Sequence, residues 1–387
     1  MTQAPPPPEM TFQRSGRDPA AIGARLEQWL TTALPPGADP EVAILGGIDA
    51  NGLSSETVLL DVTSTVAGDR QTKAYVLRVA PRPEDIPVFA TYDLQAQYDA
   101  MRLAGSLSPV PVPEVDLAEM SGSVLGTPFF LMERVEGVVP PDVMPYNFGD
   151  SWLFDASSSD REALQRRSVE VLAGLHSIPD AASRFAFLDP AVAGHTGETL
   201  LARNLAKTRA WYAFASTAEE WGGRSPLVER GLAWLEANLP ETGLSEDGGE
   251  PVLCWGDARI GNIIYRDFAP VAVLDWEMVS LGPREMDVTW MIFAHRIFED
   301  LAAMLELPGM PGFLAADEVR DAYAAVAGVE LGDLTWHEVH AAVMWGIIYL
   351  RIAARQIHFG EIEAPEDPES VLYHRAMFAA MLDEVGA

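Results

Sequence analysis

The sequence predicts an α+β chain with a small β-rich N-terminal part and a larger, mostly helical C-terminal part. Three observations carry this. Short apolar runs of strand length, at 42–45, 57–62, 73–79 and 129–132, fall before residue 135. After residue 160 the apolar residues recur mostly at helical spacing. One strand–turn–strand run, Val252 to Glu277, interrupts the helical part and carries polar residues beside its strands.

A chain of 387 residues is long enough for two lobes sharing a large core. Hydrophobic residues at 48% and charged residues at 21% are those of an ordinary globular enzyme. The net charge of −31 excludes the basic surface that a nucleic-acid binder needs. Solubility explains the acidity more simply than a polycation site does. Lys73 and Lys207 are the only lysines, and Cys254 is the only cysteine, which leaves no internal disulfide and no cysteine metal cluster. The opening MTQAPPPPEM has neither the basic nor the apolar region of a signal peptide. No apolar run reaches membrane-spanning length. A cytoplasmic location without a membrane partner is therefore expected.

Residues 1–17 read as a disordered proline-rich arm. Asp18-Pro19 starts a helix with Ile22, Leu26, Trp29, Leu30 and Ala33 on one face, ended by Pro35-Pro36-Gly37. Strands are expected at Val42–Leu45 and Thr57–Val62, joined by a glycine- and serine-bearing loop. A third strand covers Lys73–Val79, with Arg78 sharing a face with Val76 and Ala74 and Lys73 on the other. A helix follows over Thr91–Gly105, then the extended Val110-Pro-Val-Pro connector and a strand, Phe129–Met132. Arg161–His176 is a helix striped by Leu164, Val171, Leu172 and Leu175. Further helices are expected around Leu200–Phe214 and Leu227–Leu239, and over Val288–Phe298. His337–Gln356 is apolar nearly all round at Ala341–Leu350, which predicts a buried helix. The acidic stretch at 358–369 is expected as a loop that could border a substrate cleft.

The chemistry concentrates in VLCWGDARIGNIIYRDFAPVAVLDWE. Apolar strands hold Asp257, Asn262 and Asp275, with a turn at 266–270 between them. Two carboxylates and an amide oxygen suit a hard divalent cation, with one acid left over to receive a proton. The spacing D-x-x-x-x-N is that of the protein-kinase catalytic loop, with Asp275 at the place of the kinase metal-binding Asp. No metal-ligand histidine spacing, G-x-S-x-G elbow or Walker A loop competes with it.

This stretch resembles the aminoglycoside phosphotransferase and choline kinase-like family, whose loop reads H-G-D-x-x-x-x-N and continues to D-[WF]-E. Here the residues are Trp255-Gly256-Asp257, Asn262 and Asp275-Trp276-Glu277. AVLDWE and LGP in this order are similar to the subgroup linked to acyl-CoA dehydrogenases. Trp255 departs from the usual His. The resemblance implies a bilobal protein-kinase-like fold, with a nucleotide-binding lobe over 18–135 and a catalytic and substrate lobe over 136–387.

It also implies roles. Asp257 would be the catalytic base, and Asn262 and Asp275 would hold magnesium. Gly47, Gly52, Ser54 and Ser55 would cover the phosphates of ATP, with GTP as the alternative donor. Arg78 would replace the usual lysine as phosphate cation. Backbone groups of Glu133 and Val135 would meet the adenine edge. Gln97 stands where the family has a glutamate partner for that cation, so Asp93 or Asp99 would have to compensate. Asp287 would tie down the loop, and His176, at the end of a helix similar to the family's L-x-x-L-H helix, would be structural rather than a base. The implied function is phosphotransfer to a small-molecule hydroxyl. A non-catalytic nucleotide-binding module is the alternative, supported by Arg78, Gln97 and Trp255.

Overall fold

The computed structural model describes residues 17–47, 56–142, 145–218, 221–240 and 249–387. The N-terminal arm, the loop bearing Gly52, Ser54 and Ser55, and most of the acidic 241–250 stretch lie outside the described residues.

The small lobe is an antiparallel sheet with one helix on each face. Helix α1 (Pro19–Ala33) starts as expected, with the Asp18 carboxylate accepting the Ala20 amide at 3.0 Å. Strands β1 (Glu41–Gly47), β2 (Glu56–Val66) and β3 (Asp69–Val79) follow. Then come α2 (Leu94–Leu107), β4 (Val115–Glu119) and β5 (Phe129–Glu133), and the sheet order is β1-β2-β3-β5-β4. Strand alternation splits β3. Tyr75, Leu77 and Val79 join Val58, Leu60, Val62, Phe129 and Leu131 against Ile22, Leu26 and Leu30 of α1. Val76, with Phe130 and Met132, faces α2 and joins the core that continues into the large lobe.

The β1–β2 pairing slips at Ile44/Gly46, and Gly46 there has φ +146°. The expected phosphate loop thus begins later than Gly46. Gly46 and Gly47 belong to β1, paired with Leu59 and Val58.

The large lobe contains α3 (Ser158–His176), a single turn α4 (Ala181–Arg184), α5 (Leu200–Ser216) and α6 (Pro226–Ala237). Two small sheets follow: β6 (Val252–Cys254) pairs β9 (Ser280–Gly282), and β7 (Ile263–Arg266) pairs β8 (Ala269–Val273). Helices α7 (Glu285–Met304), α8 (Ala316–Ala327), α9 (Thr335–His358) and α10 (Arg375–Glu384) complete it. Among the described residues no helix is long and apolar enough to cross a membrane.

Two expectations need correction. The β7–β8 turn is two residues, Asp267 and Phe268, both with positive φ, so Ala269 and Pro270 already lie in β8. Pro270 is tolerated because the register slips between Ile264 and Tyr265. In α9 the burial is one-sided within Ala341–Leu350: Met344, Trp345, Ile348 and Tyr349 are only half-buried. In the 358–369 stretch, the buried Glu369 accepts the Ser225 hydroxyl and the Leu227 amide and pairs with Arg375, so that carboxylate serves packing.

The lobes are joined at several places besides their common core, among them the Val273 amide, which donates to Pro111 O at 2.8 Å. After β5, Val138 and Tyr265 exchange backbone hydrogen bonds of 2.9 and 2.7 Å. A Cβ on Gly137 would stand 2.4 Å from Ile264 Cγ2, so only glycine allows that approach. Between β3 and α2, Trp211 Nε1 donates to Val88 O at 2.9 Å and Arg351 Nη2 to Pro87 O at 2.8 Å. Phe89 stacks on Trp211 at 4.9 Å.

Candidate active site

The loop between β6 and β7 is fastened from behind. The buried Asp287 carboxylate, in the first turn of α7, accepts the amides of Trp255 at 2.7 Å and Gly256 at 2.9 Å. His176, at the end of α3, lies 3.1 Å from the same carboxylate through Nε2 and 2.8 Å from the Tyr323 hydroxyl through Nδ1. Both ring nitrogens are thus engaged away from the cleft, a bracing geometry. Trp255 is fully buried and its indole N–H reaches the carbonyls of Leu274 at 2.8 Å and Asp275 at 3.2 Å. The tryptophan therefore stitches the loop to the return strand. Gly256 has φ +92°, and a Cβ there would meet Met278 O at 2.1 Å.

The front of the loop carries the polar groups. Asn262, inside a short 3₁₀ turn at Ile260–Asn262, donates from Nδ2 to Asp257 Oδ2 at 2.6 Å and to Asp257 O at 3.0 Å. That leaves its amide oxygen as the metal-capable atom. Its carbonyl accepts the Leu274 amide at 2.8 Å, which sets Asp275 beside it. Asp275 adopts φ +57°, turning the chain sharply out of β8. The hairpin thus brings together Asp257, Asn262 and Asp275.

Asp275 Oδ1 is shielded from water and accepts no hydrogen bond. Burial, followed by the charge of Glu277, pushes its carboxyl up to about 7, against the opposing pull of Arg78. A buried carboxylate oxygen with no donor, next to an amide oxygen, is a donor set that fits a hard divalent cation.

Arg78 lies at the same front. Its Nη2 is 2.5 Å from Glu277 Oε1 and 3.6 Å from Asp275 Oδ1, and its Nη1 is 3.2 Å from Thr57 Oγ1. The Tyr92 hydroxyl also donates to Glu277 Oε1 at 2.5 Å. Burial disfavours the guanidinium charge, but Tyr92, Glu277 and Asp275 hold its pKa above the usual value. The expected compensation by Asp93 or Asp99 is therefore not what occurs. Asp93 caps α2 by accepting the Ala96 amide at 2.9 Å, and Asp99 accepts from Gln95 at 2.7 Å. The cation's partner is Glu277, the third residue of the D-W-E triplet. Lys73, on the other face of β3, pairs with Asp116 at 2.9 Å and Glu114 at 3.4 Å.

Toward the β5 exit, the Glu133 amide donates to Glu114 O at 2.8 Å and the Arg134 amide to Ala74 O at 3.2 Å. The Glu133 N–H is thus committed to the sheet, which narrows the expected base-edge contact to its carbonyl. Val135 follows, half-buried, outside regular structure.

Several residues at the site were not singled out from sequence. Arg259 Nε is 3.1 Å from both oxygens of Asp257, and its Nη1 bonds Asp142. Trp290 of α7 donates from its indole to Asp257 Oδ1 at 2.8 Å and stacks on Trp345 at 5.5 Å. Asp142 and Trp290 are far from the loop in sequence and leave no local pattern. Arg259 was visible as a cation two positions past the acid.

Comparison with known proteins agrees with this geometry. The family model described as "Phosphotransferase enzyme family" matches residues 49–333. Among curated proteins, "Probable acyl-CoA dehydrogenase IBR3" of Arabidopsis thaliana is 27% identical over 297 residues, 74% of this chain and 33% of its own length. "Acyl-CoA dehydrogenase family member 10" of Mus musculus is 31% identical over 231 residues, 59% of this chain and 18% of its own length. The chain thus spans a third or less of these relatives. Among solved structures, a candidate aminoglycoside phosphotransferase from Ralstonia eutropha covers 93% of this chain and 97% of its own, at TM-score 0.62 and 18% identity, a likeness of fold. With the model spanning most of the sequence, this chain belongs to the phosphotransferase enzyme family.

Proposed function

We propose that the protein is a magnesium- and nucleotide-dependent kinase that phosphorylates a hydroxyl group of a small molecule, with ATP as donor and GTP as the alternative. The observation that carries this reading is the grouping at the front of the hairpin. Asp257 is held 2.6 Å from Asn262, and Asp275 presents an oxygen with no hydrogen-bond partner beside them.

Asn262 and Asp275 would hold the cation, which supplies charge neutralisation at the donor phosphates when bound. Asp257 orients the acceptor hydroxyl and takes its proton. Arg78 places positive charge at the mouth of β3, its position fixed by Glu277 and Thr57. Gly47 at the end of β1, with Gly52, Ser54 and Ser55 of the β1–β2 connection, would cover the phosphates, and the Glu133 carbonyl and Val135 backbone would meet the base. Phosphoryl transfer asks the protein for alignment and charge more than for covalent chemistry, and these groups supply both.

The dehydrogenase names of the curated relatives favour a hydroxylated acyl compound over an aminoglycoside as acceptor. A second reading, a nucleotide-binding module without turnover, is favoured by one observation: Arg78 is already neutralised by Glu277. Nucleotide consumption measured across a panel of hydroxyl compounds separates the two. Turnover with an acceptor, lost in Asp257→Ala, is the expected result. Nucleotide binding with no transfer to any acceptor supports the module, and full turnover in the variant removes Asp257 from the chemistry.

A further inference from the structure

The acid at the front of the hairpin is continuous with an aromatic wall. Trp290 of α7, whose indole N–H holds Asp257 Oδ1 at 2.8 Å, is itself buried. The Trp345 ring of α9 stacks on it, with centroids 5.5 Å apart and planes 19° from parallel. Tyr349, one helical turn further along α9, stands 5.6 Å from Trp345, and Tyr373 meets Tyr349 edge-on at 5.2 Å. Exposure rises along this row. Trp290 is 3% exposed, Trp345 and Tyr349 are half-buried, and Tyr373 is 67% exposed. The rings thus lead from the proposed base to the surface.

The flank of α9 that carries the two middle rings is the one left open. Met344, Trp345, Ile348 and Tyr349 are half-buried there, and none of them is charged. Large apolar side chains left half open beside a reacting group are what lines a small-molecule pocket. Aromatic faces can also hold a cation. Here burial and then Tyr373 push the Tyr349 phenol up, and the Arg259 guanidinium opposes them, so its positive charge reaches these rings. A cation laid on them would be repelled.

Trp345 also keeps an unmet polar group. Its Nε1 is shielded from water and has no hydrogen-bond partner. A buried indole N–H calls for an acceptor oxygen. The half-open ring can turn that N–H toward an oxygen that enters along the flank.

Resting on the kinase reading above, we infer that this wall is the acceptor subsite and that it selects an alcohol carried on an apolar chain. The hydroxyl sits at Asp257 and the chain lies along Trp345 and Tyr349. An uncharged oxygen of the acceptor, of the carbonyl kind, takes the Trp345 N–H. Trp345 and Tyr349 are then specificity residues that touch the acceptor away from the reacting hydroxyl.

The test uses the methyl, butyl and octyl esters of 3-hydroxybutyrate beside kanamycin, a polycation. Binding in the presence of magnesium and AMP-PNP is read by calorimetry, and transfer by the ADP formed from ATP. The wild-type protein is expected to act on the esters, with kcat/KM rising about twofold per methylene through KM, half the free energy of a fully buried one. Tyr349→Ala should flatten that rise while AMP-PNP binds as before. Trp345→Phe, which keeps a ring and removes the N–H, should keep the rise. It should lose about fivefold in kcat/KM for the esters and nothing for 2-decanol, which has no second oxygen. A merely structural role for either residue would weaken every acceptor and the nucleotide alike. Transfer to kanamycin, or to the esters with no dependence on tail length, overturns the subsite and leaves the kinase reading standing. Failure of every ester to bind overturns it too, whichever other hydroxyl compounds are phosphorylated. Ester binding that climbs with tail length, without transfer to any acceptor, sinks the kinase reading and leaves the apolar subsite.

Discussion

Behind the loop from Trp255 to Asn262, the Asp287 carboxylate and both nitrogens of His176 have found partners. Asp287 takes two backbone amides and His176, and His176 passes its second nitrogen to Tyr323. In front of the same loop, two buried carboxylate oxygens, Asp275 Oδ1 and Asp142 Oδ1, accept no hydrogen bond. Like groups a few residues apart are thus finished to different degrees. A buried polar group left without a partner costs on the order of 1–3 kcal/mol, a cost that a ligand completing these two oxygens would recover. The rear is scaffold and the front is a receptor.

Substitutions on the two sides should therefore fail differently. Asp257→Asn, at the front, should lower kcat by about 10³-fold with nucleotide binding retained, the effect expected of a lost general base. Steady-state rates beside calorimetric affinities would show it, and parallel loss of both would move Asp257 to the scaffold. Asp287→Ala, at the rear, strips acceptors from two backbone amides and from His176. Equilibrium unfolding in denaturant should show about 3 kcal/mol of lost stability.

Asp275 sharpens the contrast through pH. Its carboxyl sits at about 7 in the folded protein, well above the ordinary Asp value it regains on unfolding. The native state therefore binds the extra proton between those values, and stability from this group is lost as pH rises toward and through 7. Asparagine does not titrate. Asp275→Asn should match the wild-type protein in stability near pH 4 and exceed it by about 2 kcal/mol at pH 8 without ligands, a figure discounted for partial solvent access. A pH-independent difference in thermal denaturation would contradict the buried front. Smallest is Lys73→Ala. Its ion pairs are exposed and on the other face of β3, so a stability change under about 0.5 kcal/mol and unchanged turnover are expected.

Much of this was legible in the chain because it is local. The D-x-x-x-x-N spacing, the strand alternation that put Arg78 and Lys73 on opposite faces, and the Asp18 cap each depend on residues within one element. What escaped is non-local. Glu277 answers Arg78 across 199 positions, and Asp142 reaches Arg259 across 117. Periodicity carries no trace of such pairings. Gln97 pointed to a missing partner on α2, but nothing nearby announced that the partner comes from the metal-side hairpin. The width of the β7–β8 turn was misjudged for another reason: Asp267 and Phe268 both take left-handed backbone, which Phe seldom adopts. The half-buried side of α9 was hidden because an all-apolar run does not say which flank lacks a neighbour.

The attachments of the small lobe have a mechanical side. Val138 is riveted to Tyr265, and the Pro87 and Val88 carbonyls are riveted to Arg351 and Trp211. At the front of the gap the Val273 amide on Pro111 O, and Glu277 on Arg78 and Tyr92, add further ties. Any opening of the gap about the rear attachments must therefore break this front latch first.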